Sequence, residues 1–286
     1  MSPLPPDRAH VATEAQHPAG HDLGAASIAE SIGMIAEDHQ QVTEALVRAT
    51  PALTALIEDV VEALAGGGRL VYVGAGTSGR LGVLDASECP PTFNSDPNDV
   101  IGLIAGGDGA LRRSSEGRED EPRGAFEELE QLELGRGDVL LGIAAGGTTP
   151  YVLGAVEEAA RRGAVSGLLC CTPRELPPGG THLVVLETGP ELLTGSTRLK
   201  AGSVTKLALN TITTVAFARL GKVRGNLMID LRATNDKLHD RAIRILGQLF
   251  PALTREEAAA CLLEKNGDLR GAVEMLDHHI SRGDTP

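Results

Sequence analysis

The chain has 286 residues, with 26 Lys and Arg against 39 Asp and Glu and a formal net charge of −13, so no basic stripe exists to bind nucleic acid or an anionic membrane. A small anionic substrate is still allowed, because a local cationic pocket outweighs a distant acidic surface. Only 2% of residues are aromatic and Trp is absent, while Gly numbers 35, so the core must be Leu, Val, Ile and Ala between glycine turns, as suits helices packed on a parallel sheet.

Residues 1–22 are rich in Pro, His and Ala without periodicity and read as a flexible or partner-draped arm. They lack the cationic segment and apolar stretch of a signal peptide, and no apolar run nears the roughly 20 residues of a membrane helix. A soluble, cytoplasmic protein is expected. Residues 24–65 carry helical patterns that stop at Gly66-Gly67-Gly68. RLVYVGAG (69–76) is a short β-branched run entering a glycine turn, and therefore a buried strand. VIGLIAGG (100–107), VLLGIAAGG (139–147), VSGLLCC (165–171) and HLVVLE (182–187) continue the series, with helical stretches at 109–133 and 149–162. This alternation predicts a doubly wound parallel α/β sheet of about five strands. An amphipathic stretch at 197–220 runs to Gly221, and helices at 233–250, 254–265 and 269–280, the last two split by Gly267, form a small appendage. The expected organisation is an arm (1–22), a sheet domain with its leading helices (23–232) and a helical appendage (233–286). Cys89, Cys170, Cys171 and Cys261 show no metal-ligating spacing, and Cys170 and Cys171 sit in an apolar run as buried thiols, so neither metal nor cofactor is expected.

Gly74-Ala75-Gly76-Thr77-Ser78-Gly79-Arg80 follows a strand and matches G-x-G-x-x-G. A dinucleotide site also needs an acidic residue ending the next strand, which here ends Ala105-Gly106-Gly107 with Asp108 only beyond. The hydroxyls and amides of Gly76, Thr77 and Ser78, with Arg80 alongside, suit a phosphate monoester at a helix start. The plain alternative is a tight turn whose hydroxyls cap the helix. Next, Pro90 and Pro91 are expected to end the preceding helix and stiffen a loop carrying Glu88, a good mount for an acid/base carboxylate, although an isolated Glu is usually a solvated one. The acidic run Ser114–Glu121, inside a helical stretch, reads as a solvated face. Gly146-Gly147-Thr148-Thr149-Pro150 repeats the anion-binding logic. So does Thr194-Gly195-Ser196-Thr197 before Arg198, Lys200 and Lys206. Three hydroxyl-rich turns at the strand ends of one sheet would face a common crevice, the usual ligand site of such sheets.

As strings, these segments resemble the N-acetylmuramic acid 6-phosphate etherases, which carry the sugar isomerase (SIS) fold. The resemblance rests on GGGRLVYVGAGTSGRLGVLDASECPPTF (66–93), GLIAGG (102–107), TGSTRLKAG (194–202) and GKVRGNLMIDLRATNDKL (221–238), and extends to Thr13-Glu14 and the last two helices. It implies cleavage of the ether between C3 of the sugar and D-lactate by elimination and water addition, without metal, in a homodimer with the site near the interface. Two acid/base groups must then serve C2 and C3. The family's carboxylates map onto Glu88 and Glu119, with Glu116 the nearby alternative. Which is base and which acid stays open, with Glu88 favoured as proton donor. The implied phosphate grip draws on Gly76, Thr77, Ser78, Arg80, Thr149, Ser196, Thr197 and Lys200.

Two stretches depart from the family pattern. Gly146 and Thr148 stand where Ser and Arg are usual, removing one hydroxyl and one cation, and Ala25–Glu30 replaces a Leu-Ser-Thr-Leu-Glu segment. Because both glutamates persist, an active enzyme is favoured over a non-catalytic SIS-type sensor of amino-sugar phosphates. A sugar-phosphate isomerase ranks third and a dinucleotide dehydrogenase last.

Overall fold

In the computed structural model, residues 11–281 are described, apart from the side chains of His21 and Glu116. The chain begins with helices α1 (Ile28–Asp38), α2 (Gln41–Arg48) and α3 (Thr50–Ala65). α1 starts at a reciprocal capping box between Ser27 and Glu30, and α3 stops at Gly66, followed by Gly67 at φ 79°. Then follow β1 (Leu70–Gly74), α4 (Gly76–Phe93), β2 (Val100–Ile104), α5 (Gly109–Arg112), α6 (Phe126–Gln131), β3 (Val139–Ile143), α7 (Pro150–Arg162), β4 (Val165–Cys170), β5 (His182–Val185) and α8 (Lys200–Arg219). A two-stranded ribbon of β6 (Val223–Arg224) and β7 (Leu227–Met228) leads to α9 (Asp236–Leu249), α10 (Arg255–Glu264) and α11 (Leu269–Ser281). Two compact units result: one takes in the chain to Ser87 with Asn98–Thr214, the other Glu88–Pro97 with Val215 onward.

The first unit holds the expected five-stranded parallel sheet, in the order β2-β1-β3-β4-β5. Every residue of β1 and β3 is buried, which explains their continuous apolar sequences. One face is closed by α7, whose Val152, Ala155, Val156 and Ala159 pack on Val71, Val73, Leu140 and Leu168. The alanines let helix and sheet approach closely. At the carboxyl end of β1 two glycines do the same. A Cβ on Gly74 would lie 2.6 Å from the amide nitrogen of Gly79, and one on Gly79 would lie 2.6 Å from the carbonyl oxygen of Gly74. The first and last glycines of the G-x-G-x-x-G string therefore serve strand–helix packing.

The strand order creates a switch point. From β1 the chain passes through α4 to β2 on one side, then recrosses to β3 on the other. Gly74 is paired with both Ile104 and Ile143. The turns leaving β1 and β3 thus flank one crevice, where open sheets of this kind bind ligands.

Two expectations about helices are corrected. Pro90 and Pro91 do not end α4, which continues to Phe93 and stops where Asn94 turns to φ 48°. Proline's fixed φ suits a helix, and what the pair removes is two amide donors, those that would have faced the Ala86 and Ser87 carbonyls. Glu88 consequently stands on a helix, not on a loop. Nor is 109–133 one helix. α5 ends at Arg112, a 3-10 turn occupies Glu116–Arg118, and α6 begins only at Phe126. Gly117, Gly124 and Pro122 break the helical pattern there.

Of the expected arm, residues 1–10 lie outside the described residues. Residues 11–22 contain two 3-10 turns, with Val11 and Thr13 buried and the Ala12 amide 3.4 Å from Thr172 Oγ1. In the second unit, Leu231, Ala242, Leu246, Leu262, Leu269 and Val273 form a separate core. Among the described residues no helix is long and apolar enough to cross a membrane.

Candidate functional site

Three helices begin at the carboxyl edge of the sheet, and their first amides are treated differently. At α8 the chain supplies its own anion. The buried Glu191 carboxylate accepts from the amides of Lys200 (3.0 Å) and Ala201 (2.9 Å). At α7 the Tyr151 amide donates to the carbonyl of Glu119 at 3.0 Å, and the N-capping Thr149 makes no side-chain capping bond. At α4 the amides of Gly76, Thr77 and Ser78 meet no protein acceptor among the described residues. Gly76 holds φ 53°, and Thr77 lies against the first turn of α8, its Cγ2 3.6 Å from the Cβ position of Gly202. Thr77 and Ser78 are half-buried. The α4 start thus has all three of its first amides still to give, whereas Glu191 takes the first two at α8.

Ser196 and Thr197, also half-buried, follow Gly195 (φ 73°) in the turn before α8. Glu14 reaches this turn, its Oε2 lying 3.2 Å from the Cβ position of Gly195. Lys200 is fully buried, and its Nζ meets Asp38 Oδ1 at 2.7 Å; His17 Nε2 meets the same oxygen at 3.1 Å. Arg80 turns its guanidinium to three carbonyls at the end of α5, those of Ala110, Leu111 and Arg113, at 2.7, 3.2 and 3.2 Å. Both cations therefore hold protein groups. Arg198 and Lys206 are exposed.

Glu119 is half-buried in the loop after the 3-10 turn, and its backbone is fastened to α7. The fastening is close. A Cβ on Gly154 of α7 would fall 1.8 Å from the Pro122 carbonyl oxygen, and one on Gly124 would fall 2.7 Å from the Tyr151 ring. Tyr151 donates its hydroxyl to Glu128 at 3.4 Å. Burial pushes the Glu128 carboxyl up, and burial with the neighbouring Glu128 charge pushes the Tyr151 hydroxyl up. These two line a cavity of about 320 Å³ with Gly106, Gly107, Arg118 and Glu121. The side chain of Glu116 lies outside the described residues. Glu88 is exposed on α4 and belongs to the second unit.

Sequence reasoning missed Asp85. Its buried carboxylate accepts from Asn210 (2.7 Å), Tyr72 (3.1 Å) and Thr213 (3.3 Å), joining α4 to β1 and α8. It also missed Glu191, since nothing local distinguishes a carboxylate that caps a helix nine residues later. Cys170 and Cys171 are buried, and burial pushes their thiols up to about 11 and about 12.

The glucokinase regulatory protein N-terminal SIS domain matches residues 52–160, from α3 through α7. The chain is 52% identical to an N-acetylmuramic acid 6-phosphate etherase of Picosynechococcus sp. over 95% of its own length and 89% of that protein. It is 48% identical to one of Gloeobacter violaceus over 96% and 89%, and 49% identical to one of Crocosphaera subtropica over 95% and 88%. In structure it is similar to a Bacteroides fragilis protein of capsule formation classed with the phosphosugar isomerases (TM-score 0.51, 18% identity, 70% of this chain and 95% of that one). An Escherichia coli protein solved with A5P is similar too (TM-score 0.50, 14% identity, 70% and 97%). At those identities the structures share the fold alone. Relatives near 50% identity across nearly the whole chain do more: the chain belongs to the N-acetylmuramic acid 6-phosphate etherase family.

Proposed function

We propose that the chain cleaves the D-lactyl ether of N-acetylmuramic acid 6-phosphate to N-acetylglucosamine 6-phosphate and D-lactate. Beyond the relatives' names, the observation that carries this reading is the α4 start. Three amides without protein acceptors and the hydroxyls of Thr77 and Ser78 border the switch-point crevice beside Glu119's anchorage on α7. The 6-phosphate binds there, helped by Thr149 and by Ser196 and Thr197 from the turn before α8. Arg80 and Lys200 act as positioning residues, Arg80 holding α5 and Lys200 holding α8 to Asp38.

The chemistry then asks for two proton transfers flanking C2 and C3 of the open-chain sugar. Glu119 takes the C2 proton, Glu88 gives a proton to the departing lactate oxygen, and water adds at C3 with the roles reversed. The net change is hydrolysis of the ether. The setting is a cytoplasmic homodimer recycling peptidoglycan sugars, with the site near the subunit interface. Incubation with N-acetylmuramic acid 6-phosphate should release D-lactate. Binding of the sugar phosphate without release would make the chain a sensor.

A further inference from the structure

Among the described residues, five buried side-chain polar atoms lack hydrogen-bond partners, and two of them, Thr13 Oγ1 and Arg174 Nη2, belong to residues that pack against a single turn. That turn is Gly146-Gly147, which leaves β3. Thr13 Oγ1 lies 3.7 Å from the Cβ position of Gly146. Arg174, from the loop after β4, donates its Nε to the Gly146 carbonyl at 3.1 Å. Its Cγ lies 2.6 Å from the Cβ position of Gly147, at φ 64°, so any side chain at 147 would displace the arginine stem.

We propose that Thr13 and Arg174 form the subsite for the carboxylate of the lactyl group, an inference that rests on the etherase reading. A guanidinium can only donate, keeps its charge at any working pH and pairs best with a flat, two-oxygen anion. A buried donor of this kind without a partner is costly, so the site is built for an acceptor that arrives with the ligand. The substrate offers two anions. The phosphate has the open amides of α4, which leaves the lactyl carboxylate, attached at C3. The turn lies two residues from Thr149 and four from Tyr151, where Glu119 is fastened, so an anion here sits next to the carbons that react. Glu157 and Glu175 line the neighbouring cavity of about 680 Å³ along with Gly147 and Arg174, and their charge keeps an anion out of it. The Thr13 side of the turn remains. Val11 and Thr13 are both buried and cover that side of the turn, Val11 Cγ1 lying 3.6 Å from the Cβ position of Gly146. The family's usual cation at position 148 is thereby replaced from another loop.

The test compares two constants in wild type, Arg174→Met and Thr13→Val: KM for D-lactate release, and the inhibition constant of N-acetylglucosamine 6-phosphate, which keeps the phosphate but has no lactyl carboxylate. Arg174→Met should raise KM about tenfold or more and Thr13→Val severalfold, with the product constant within about twofold of wild type. Equal rises in both constants, or no rise in either, overturn the subsite. Should Arg174→Met fail to fold, Arg174→Lys, which keeps the charge and loses the fork, and the near-isosteric Thr13→Val decide on the same criteria. A wild type that releases no lactate refutes the etherase reading, and the lactyl assignment falls with it. An active enzyme indifferent to both substitutions refutes the subsite alone.

Discussion

Tyr151 donates its backbone N–H to the carbonyl of Glu119 at 3.0 Å, so a helix start that looks free in sequence is occupied by the loop carrying a candidate catalytic carboxylate. The same tyrosine packs its ring over Gly124 and gives its hydroxyl to Glu128. One residue thus joins α7, the acidic loop and α6. A run of charges becomes a fixed structure through these backbone contacts and the Arg118–Glu121 ion pair.

The role given to Glu119 is testable through hydrogen exchange. Elimination with rehydration in heavy water puts deuterium at C2 of the product and solvent oxygen at C3, whereas displacement at C3 leaves the C2 hydrogen in place. Glu119→Gln keeps the shape but cannot take a proton. It should lower lactate release by about 10²–10⁴-fold, with C2 exchange lost in parallel and sugar-phosphate binding retained. Lactate release by wild type without deuterium at C2 would remove elimination and Glu119's role together.

Gly154→Ala probes the anchorage from behind. The new methyl would stand 1.8 Å from the Pro122 carbonyl oxygen, backbone against backbone, so the loop must move off α7. A stability loss of about 1–3 kcal/mol is expected from such overpacking, with kcat falling more than product affinity because Glu119 shifts while the α4 start does not. Unchanged kcat in the destabilised variant would separate Glu119 from the reaction.

The hydroxyls at the α4 start should govern affinity. Ser78→Ala removes a neutral donor to a charged phosphate, worth about 1.5–3 kcal/mol, or roughly 10- to 100-fold in the dissociation constant of N-acetylglucosamine 6-phosphate. Ser196→Ala should weaken binding as well. Isothermal titration showing no change for Ser78→Ala would move the phosphate away from α4.

Lys200 tests the difference between binding and positioning. It is 0% exposed and meets Asp38 at 2.7 Å. Lys200→Met leaves the buried Asp38 carboxylate with His17 as its remaining ion-pair partner among the described residues, and should cost about 3–5 kcal/mol in denaturant unfolding. Adding Asp38→Asn should restore part of that loss. A soluble Lys200→Met protein of wild-type stability with weakened phosphate binding would show instead that Lys200 reaches the ligand.

The five strands were legible because each is a short apolar run bounded by glycine, as in RLVYVGAG and VLLGIAAGG. The helix stops at Gly66, Gly221 and Gly267 were legible for the same local reason. What failed was local too, but ambiguous. Pro90-Pro91 reads as a helix end, yet α4 tolerates two missing donors in its last turns, and the helical spacing of 109–133 hid three breakers. At the site, the hydroxyl-rich turns were visible as strings. Their occupancy was not. Glu191 at α8, the Glu119 carbonyl at α7 and Arg174 at Gly146 are all partners set by the fold, the last 28 residues away in the chain.

Asp85 offers a pH test of the helix that carries Glu88. Burial pushes its carboxyl above the ordinary 3.8, against hydrogen bonds from Asn210, Tyr72 and Thr213 and the charge of Lys206. The folded chain therefore holds this proton more tightly than the unfolded one. The stability it contributes is complete below the unfolded value and is lost as pH rises through the raised folded value. Asp85→Asn keeps an oxygen for Asn210 and Thr213, and its amide can donate to the Tyr72 hydroxyl, yet it carries no charge to desolvate. Wild type should thus lose ground to Asp85→Asn as pH climbs from just below 4 toward neutrality, read as diverging urea midpoints across a pH series. A gap that stays constant would show that Asp85 binds its proton equally in both states. A gap of the opposite sign, with wild type gaining as pH rises, would mean that the three hydrogen bonds and Lys206 outweigh burial, and that Asp85 ties α4 to β1 and α8 as a stabilised anion.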